Sequence, residues 1–171
     1  MTGQISQEQR DQLTADLERV RRQEALLVFD EFNEDTALRL GLLIRSKAAA
    51  LGQPIVVDIR RGDDVIFFSA MPGTAPANSD WARRKRNLVN ILHEPSYCVG
   101  ARIKLGSNIL ELMGLGLRDH APHGGCFPIR VKGAGMIGTV TVSGLPQRDD
   151  HKLATDAIAE MIGVDLGENG F

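Results

Sequence analysis

The stretch DHAPHGGCFPIRVKGAGMIGTVTVSGLPQRDDH, residues 119–151, decides how this chain folds. Phe127, Ile129 and Val131 alternate with other residues at the period of a strand that has one buried face. A glycine-rich turn at 133–135 follows, and MIGTVTVSG returns as a second strand. The stretch therefore predicts a β-hairpin. It also contains three of the four histidines of the chain.

The flanking sequence predicts the rest of a mixed fold. PIVVDIR at 54–60 and VIFFSA at 65–70 form a second hairpin around the turn RGDD, and the short apolar run at 26–32 predicts a fifth strand. Helical spacing and capping signals predict helices over 6–24, 33–51 and 80–93, and from Pro146 onward. Two hairpins separated by helices do not suit a doubly wound parallel sheet. We therefore expect an α/β (α+β) fold with a five-stranded, mostly antiparallel sheet flanked by helices.

Composition limits the class of protein. The 171 residues favour a single domain over 1–171, and the 43% hydrophobic and 25% charged content is ordinary for a folded protein. A net charge of −2 argues against nucleic acid as a partner, and no apolar run is long enough to span a membrane. The two cysteines lack CxxC spacing and the N-terminus is polar, which predicts free thiols and a cytoplasmic location.

The helix predicted after Ser79 carries the strongest positional signal. Its apolar arc has four members: Trp81, Leu88, Ile91 and Leu92. Arg84 and Lys85 fall inside this arc at about 100° per residue. Because an unpaired buried charge is very costly, we expect either residue to meet a carboxylate or phosphate of a ligand. The alternative is an internal ion pair, for example with Asp58, or a long stem that reaches solvent.

The tripeptide His123-Gly124-Gly125 precedes the first strand of the decisive hairpin. Two glycines allow the backbone to approach a ligand closely, and their N–H groups can bind an anion. His123 can bind a metal or haem iron, or transfer protons near neutral pH. The alternative is a loop that needs a positive φ, with an exposed histidine.

The last helix begins with Asp149, Asp150 and His151. Carboxylates in a first helical turn are stabilised by the helix dipole, which is the simpler explanation. By helical angle, however, Asp150 points along the buried stripe. With His123 and His151 it would form a metal-binding or acid–base cluster if the fold brought the loop near.

Three stretches together carry a family resemblance. They are HGGCFPIRVKGAGMIGTVTVSGLPQRDDH at 123–151, PGTAPANSDWARRKRNLV at 72–89 and PIVVDIR at 54–60. From about residue 10 to 163 the chain resembles one branch of the haem-degrading-domain family, the GlcG/HbpS-like proteins. The resemblance implies a profilin-like fold and homo-oligomers built from dimers. Some members of the family bind haem, and some are linked to haem breakdown or to cobalamin-related enzymes.

The resemblance also assigns motif positions. Four match the wider family: Gly124, Gly125, Ser143 and Gly144. Five look like marks of this branch: Trp81, Arg84, His123, Asp150 and His151. The resemblance transfers no haem ligand to any one of these positions.

Three functional hypotheses remain from the sequence. The first is an oligomeric small-molecule-binding protein for haem or a related anionic ligand, with Arg84 and Lys85 on the propionates and His123 on the iron. The second is an oligomeric adaptor, in which polar residues of the sheet make subunit contacts: Asp58, Arg60, Arg130 and Lys132. The third is a metal-dependent enzyme that uses His123, Asp150 and His151 with a divalent metal.

Overall fold

Five strands and six α-helices make up the computed structural model, which describes residues 5–171. The strands are β1 (Val28–Phe29), β2 (Val56–Arg61), β3 (Asp64–Ala70), β4 (Cys126–Val131) and β5 (Gly135–Ser143). The helices are α1 (Gln7–Leu26), α2 (Glu34–Ala50), α3 (Pro76–Leu92), α4 (Ser96–Lys104), α5 (Ile109–Leu112) and α6 (Gln147–Ile162). A short 3₁₀ helix, Gly167–Asn169, follows α6.

The strands form one open sheet in the order β1-β4-β5-β2-β3. Both predicted hairpins are present as β2–β3 and β4–β5, and β5 also pairs antiparallel with β2. Only β1 pairs in parallel, with β4. The predicted fold, a five-stranded and mostly antiparallel sheet flanked by helices, is therefore confirmed.

The two faces of this sheet differ in chemistry. One face packs against α2 and α6 and forms the main apolar core, to which Val57, Phe127 and Val140 contribute. The other face lies against α3 and buries polar side chains, among them Asp58 and Thr141. Because α3 covers a polar face, charged residues on that helix can find partners below it.

Two predicted boundaries are wrong. The helix predicted to begin after Ser79 begins at Pro76, because proline suits the first helical position and the Asn78 side chain accepts a hydrogen bond from Ala75 N. The strand predicted over 26–32 shrinks to the two residues of β1, since α1 continues through Leu26.

Candidate functional site

A cavity of about 230 Å³ lies where α3 passes the end of β5 and the start of α6. Helix α3 contributes Asn78, Trp81 and Lys85 to its wall, and the loop before β4 contributes His123. The remaining wall comes from the end of β5 and from α6: Ser143, Gly144, Leu145, Gln147 and Asp150. The structure thus brings together Trp81, Lys85, His123 and Asp150 of the predicted site residues.

Lys85 is held at this cavity by a buried ion pair. Its side chain is only 4% exposed, and its Nζ donates to Asp150 Oδ2 at 2.7 Å and to the carbonyl oxygen of Val142 at 3.1 Å. Burial raises the pKa of Asp150, and the charge of Lys85 opposes that rise. The other carboxylate oxygen, Oδ1, accepts from Leu145 N at 2.9 Å. Asp150 therefore fixes both the ammonium and the turn that leads into α6.

The buried face of α3 is rotated relative to the predicted arc. Its buried members are Ala82, Lys85, Leu88 and Val89. Ile91, which the prediction placed on the buried arc, is 45% exposed. The error arose because the arc was centred on Trp81, which packs beside the cavity and is only partly buried. Lys85 is therefore the charged residue on the buried face of α3.

Arg84 lies outside the cavity wall and forms an internal ion pair, which is the alternative that the sequence left open. Its Nε donates to Asp80 Oδ2 at 2.8 Å, one turn earlier on α3, and its guanidinium lies 4.0 Å from the ring centroid of Trp81. Asp80 is well exposed, so this ion pair contributes little to stability. The effect of Arg84 is to hold the indole of Trp81 against the helix.

Asp58 pairs with residues other than the predicted one. It accepts from Arg86 on α3, which the prediction placed outside the buried arc, and from Arg60 Nε at 3.0 Å. At 2% exposure, Asp58 is not available for the subunit contact that was predicted for it. Arg130 is also engaged within the chain, since it donates to Glu24 and to the carbonyl oxygen of His93.

His123 is exposed at the edge of the cavity, edge-on to Trp81 with 5.0 Å between ring centroids. Partial desolvation at the cavity lowers the pKa of His123, and the charges of Lys85, Lys104 and Arg84 lower it further. The lowered pKa favours the neutral imidazole, which is the form that binds metals. The same three cations create a positive field around the ring.

The glycine pair is explained by close packing. At Gly125, where φ is +129°, a Cβ would lie 2.3 Å from the carbonyl oxygen of Val142 and 2.7 Å from Lys85 Nζ. At Gly124, a Cβ would lie 2.3 Å from the carbonyl oxygen of Gln147. Gly124 N already donates to Gln147 Oε1 at 3.0 Å, so it is not free for the predicted anion nest. The two glycines let the backbone pass beside the ion pair.

His151 lies in the core, away from the cavity wall. It is fully buried among the rings of Tyr97, Phe127 and Phe171, with Nε2 2.8 Å from Gln23 Oε1. Burial lowers its pKa to about 3. The predicted cluster with His123 and Asp150 is therefore not formed. Within residues 5–171, no group of three or more His, Cys, Asp or Glu side chains is placed to hold a metal ion.

Sequence reasoning missed five residues of the cavity wall as site candidates: Asn78, Ser143, Gly144, Leu145 and Gln147. Ser143 matched the family pattern, and its position at the end of a strand was a usable signal. Asn78 and Gln147 each stand in the first turn of a helix, and one sequence alone gives no sign that these two turns meet.

Comparison with known proteins gives consistent results. A family model described as haem degrading protein HbpS-like matches residues 32–159. A UPF0303 protein of Acidobacterium capsulatum is 49% identical over 154 residues, 90% of this chain and 93% of its own. One of Azotobacter vinelandii is 50% identical over 157 residues, 91% of this chain and 95% of its own.

Solved structures share the fold. The Ybr137w protein superposes with a TM-score of 0.77 at 24% identity, over 86% of this chain and 87% of that one. A PduOC:heme complex superposes with a TM-score of 0.63 at 20% identity, over 77% of this chain and 94% of that one. In the part of the chain that the structure describes, no helix is both long and apolar enough to cross a membrane.

Proposed function

The chain belongs to the family of haem-degrading HbpS-like proteins, and from this premise we propose that it binds haem, or a related anionic tetrapyrrole, at the cavity beside α3. One observation carries the proposal: the cavity places the imidazole of His123 and the ammonium of Lys85 in a single wall. A solved structure of the same fold is named as a PduOC:heme complex, and this name supports haem as the ligand.

The donor set of the cavity suits such a ligand. Haem supplies an iron that takes a nitrogen ligand and two propionates that accept hydrogen bonds. His123 is the residue that would bind the iron, and Lys85 is the residue that would meet a propionate. Trp81 adds an aromatic surface beside the imidazole.

The size of the cavity limits how much of the ligand one chain encloses. Its volume of about 230 Å³ is below the roughly 300 Å³ at which sites for drug-sized molecules begin. A tetrapyrrole would therefore extend beyond the cavity. We propose that the protein forms homo-oligomers built from dimers and that a second copy covers the rest of the ligand. Light scattering during size-exclusion chromatography tests this, and a monomer with and without hemin would contradict it.

Titration with hemin, followed by the Soret band, tests the haem proposal. We expect saturable binding by the unmodified protein, and a loss of about tenfold or more in affinity in His123→Ala, with partial recovery on addition of imidazole. His120→Ala is the matched control, because His120 lies in the same loop outside the cavity wall and bonds to Gly116. It should bind like the unmodified protein.

Two results would overturn this proposal. An unchanged spectrum at micromolar hemin would exclude haem binding by this protein. Equal spectra and affinities in His123→Ala and His120→Ala would exclude the cavity beside α3 as the haem site.

A further inference from the structure

We propose that the cavity beside α3 is a subsite for one compact carboxylate group and that Lys85 is its direct partner. This inference rests on the proposed function, because it states how the acid group of that ligand is held. The same chemistry would let a small free carboxylic acid enter the cavity. The two sources, a propionate arm of haem and a free acid, are separated by the experiment below.

The ammonium of Lys85 has one hydrogen left for a ligand. An ammonium has three N–H donors, and two of them are directed to Val142 and Asp150. These two bonds fix the nitrogen, and Lys85 lines the cavity, so the third donor is the one that a bound anion would meet. A donor positioned in this way loses little conformational entropy when an anion binds.

Two side-chain amides in the same wall also present donors. The Oδ1 atom of Asn78 accepts from Ala75 N at 2.8 Å, and the Oε1 atom of Gln147 accepts from Gly124 N at 3.0 Å. Because a backbone N–H can only donate, each amide oxygen is turned towards the backbone and already accepts one hydrogen bond. The NH₂ groups are the donors that these two side chains offer to a ligand. The wall therefore favours a group that accepts several hydrogen bonds.

The one carboxylate in the wall does not repel such a group strongly. Both oxygens of Asp150 accept hydrogen bonds from the protein, one from Leu145 N and one from Lys85. Its charge is balanced by Lys85, while Arg84 and Lys104 add positive field around His123. Helix α6 also begins at this wall, and the N-terminal dipole of a helix favours an anion.

The size of the cavity selects a compact group. At about 230 Å³ it is too small to enclose a drug-sized molecule, yet it has ample room for a carboxylate and a short alkyl stem. Donors surrounding a small space are the arrangement expected for an acid group, while the remainder of a larger ligand lies outside.

The first arm of the test compares hemin with hemin dimethyl ester, which lacks the acid groups. We expect the unmodified protein to bind hemin at least about tenfold more tightly than the ester, since hydrogen bonds to a charged group are strong. In the double variant Lys85→Met/Asp150→Asn the ratio should fall towards one. This variant removes both charges together, so neither is left buried without its partner.

Lys152→Met/Asp156→Asn is the matched control for this arm. Lys152 and Asp156 form an ion pair on α6 away from the cavity wall, so the same two substitutions are made elsewhere. The ratio of this variant's affinity for hemin to its affinity for the ester should equal that of the unmodified protein. An undiminished ratio in Lys85→Met/Asp150→Asn, with hemin still bound through His123, would overturn the inference and leave the proposed function standing.

The second arm uses sodium propionate and the fluorescence of Trp81, the single tryptophan of the chain, which lies in the cavity wall. A saturable change in the unmodified protein that is lost in Lys85→Met/Asp150→Asn supports the inference even if hemin does not bind. If neither hemin nor propionate produces a response that depends on Lys85, the inference is wrong.

Discussion

Asp150 and His151 are neighbours in the sequence, yet they belong to two different regions of the molecule. Asp150 reaches the cavity beside α3 and pairs with Lys85, whereas His151 points into the apolar core among three aromatic rings. One step of about 100° around α6 separates the two directions. Two polar residues that look like one cluster in the sequence therefore serve two different purposes.

The comparison also separates the two imidazoles. Desolvation is the main cause of the lowered pKa of both His123 and His151. His123 lines a cavity and is edge-on to a partly exposed indole, whereas His151 is inaccessible and bonded to Gln23. A lowered pKa therefore does not mark a binding residue by itself; access to a ligand distinguishes the two.

The largest expected effect is on the cavity side, from Asp150→Ala. Removing the carboxylate leaves the ammonium of Lys85 buried without a counter-charge, so we expect a loss of about 3–5 kcal/mol in the free energy of unfolding. Urea denaturation measures this. Lys85→Met/Asp150→Asn should recover most of the loss, and a double variant as unstable as Asp150→Ala would show that charge imbalance is not the cause.

Next in size is the contrast between the two histidines. His151→Ala removes a fully buried ring and leaves Gln23 without its partner, so we expect a loss of about 3 kcal/mol in unfolding free energy. His123→Ala should cost about 1 kcal/mol or less, because its side chain is exposed. Thermal and urea unfolding check both values. Equal losses would contradict the separation of core and cavity.

The pH dependence of stability follows from the core histidine. The pKa of His151 is about 3 in the folded protein and 6.5 for an imidazole in water, so between these values the unfolded state binds more protons and stability falls as the pH falls. From pH 7 to pH 5 this amounts to a loss of about 2 kcal/mol from His151 alone. His151→Gln should lack that part of the loss in urea unfolding at both pH values. If the unfolding free energy falls equally with pH in both proteins, His151 is not the cause of the fall.

The smallest effect is optical. Trp81 contacts His123, and a protonated imidazole quenches a neighbouring indole more than a neutral one. Because the pKa of His123 is below its usual 6.5, we expect quenching to begin only as the pH drops below that value. His123→Ala should remove this step, whereas His151→Gln should retain it. A step that persists in His123→Ala would assign the titration to another group.

The sequence predicted the sheet better than the site, for a physical reason. Alternation along β2 and β4 reports directly which side chains share a face, so both hairpins could be predicted. The side-chain pairs across the structure, Lys85 with Asp150 and Arg86 with Asp58, join residues 65 and 28 positions apart. No local pattern encodes such pairs, and a small error in the phase of α3 was enough to place Arg84 inside the buried arc and Arg86 outside it.

Nuclear magnetic resonance of protein labelled with ¹⁵N in its histidine rings tests the central claim most directly. Zinc protoporphyrin serves as the probe, because it is diamagnetic and takes an axial nitrogen ligand. Our account predicts that the ring nitrogens of His123 shift on addition of the porphyrin while those of His151 stay unchanged. A shift confined to His93 or His120, or one at His151, would contradict it.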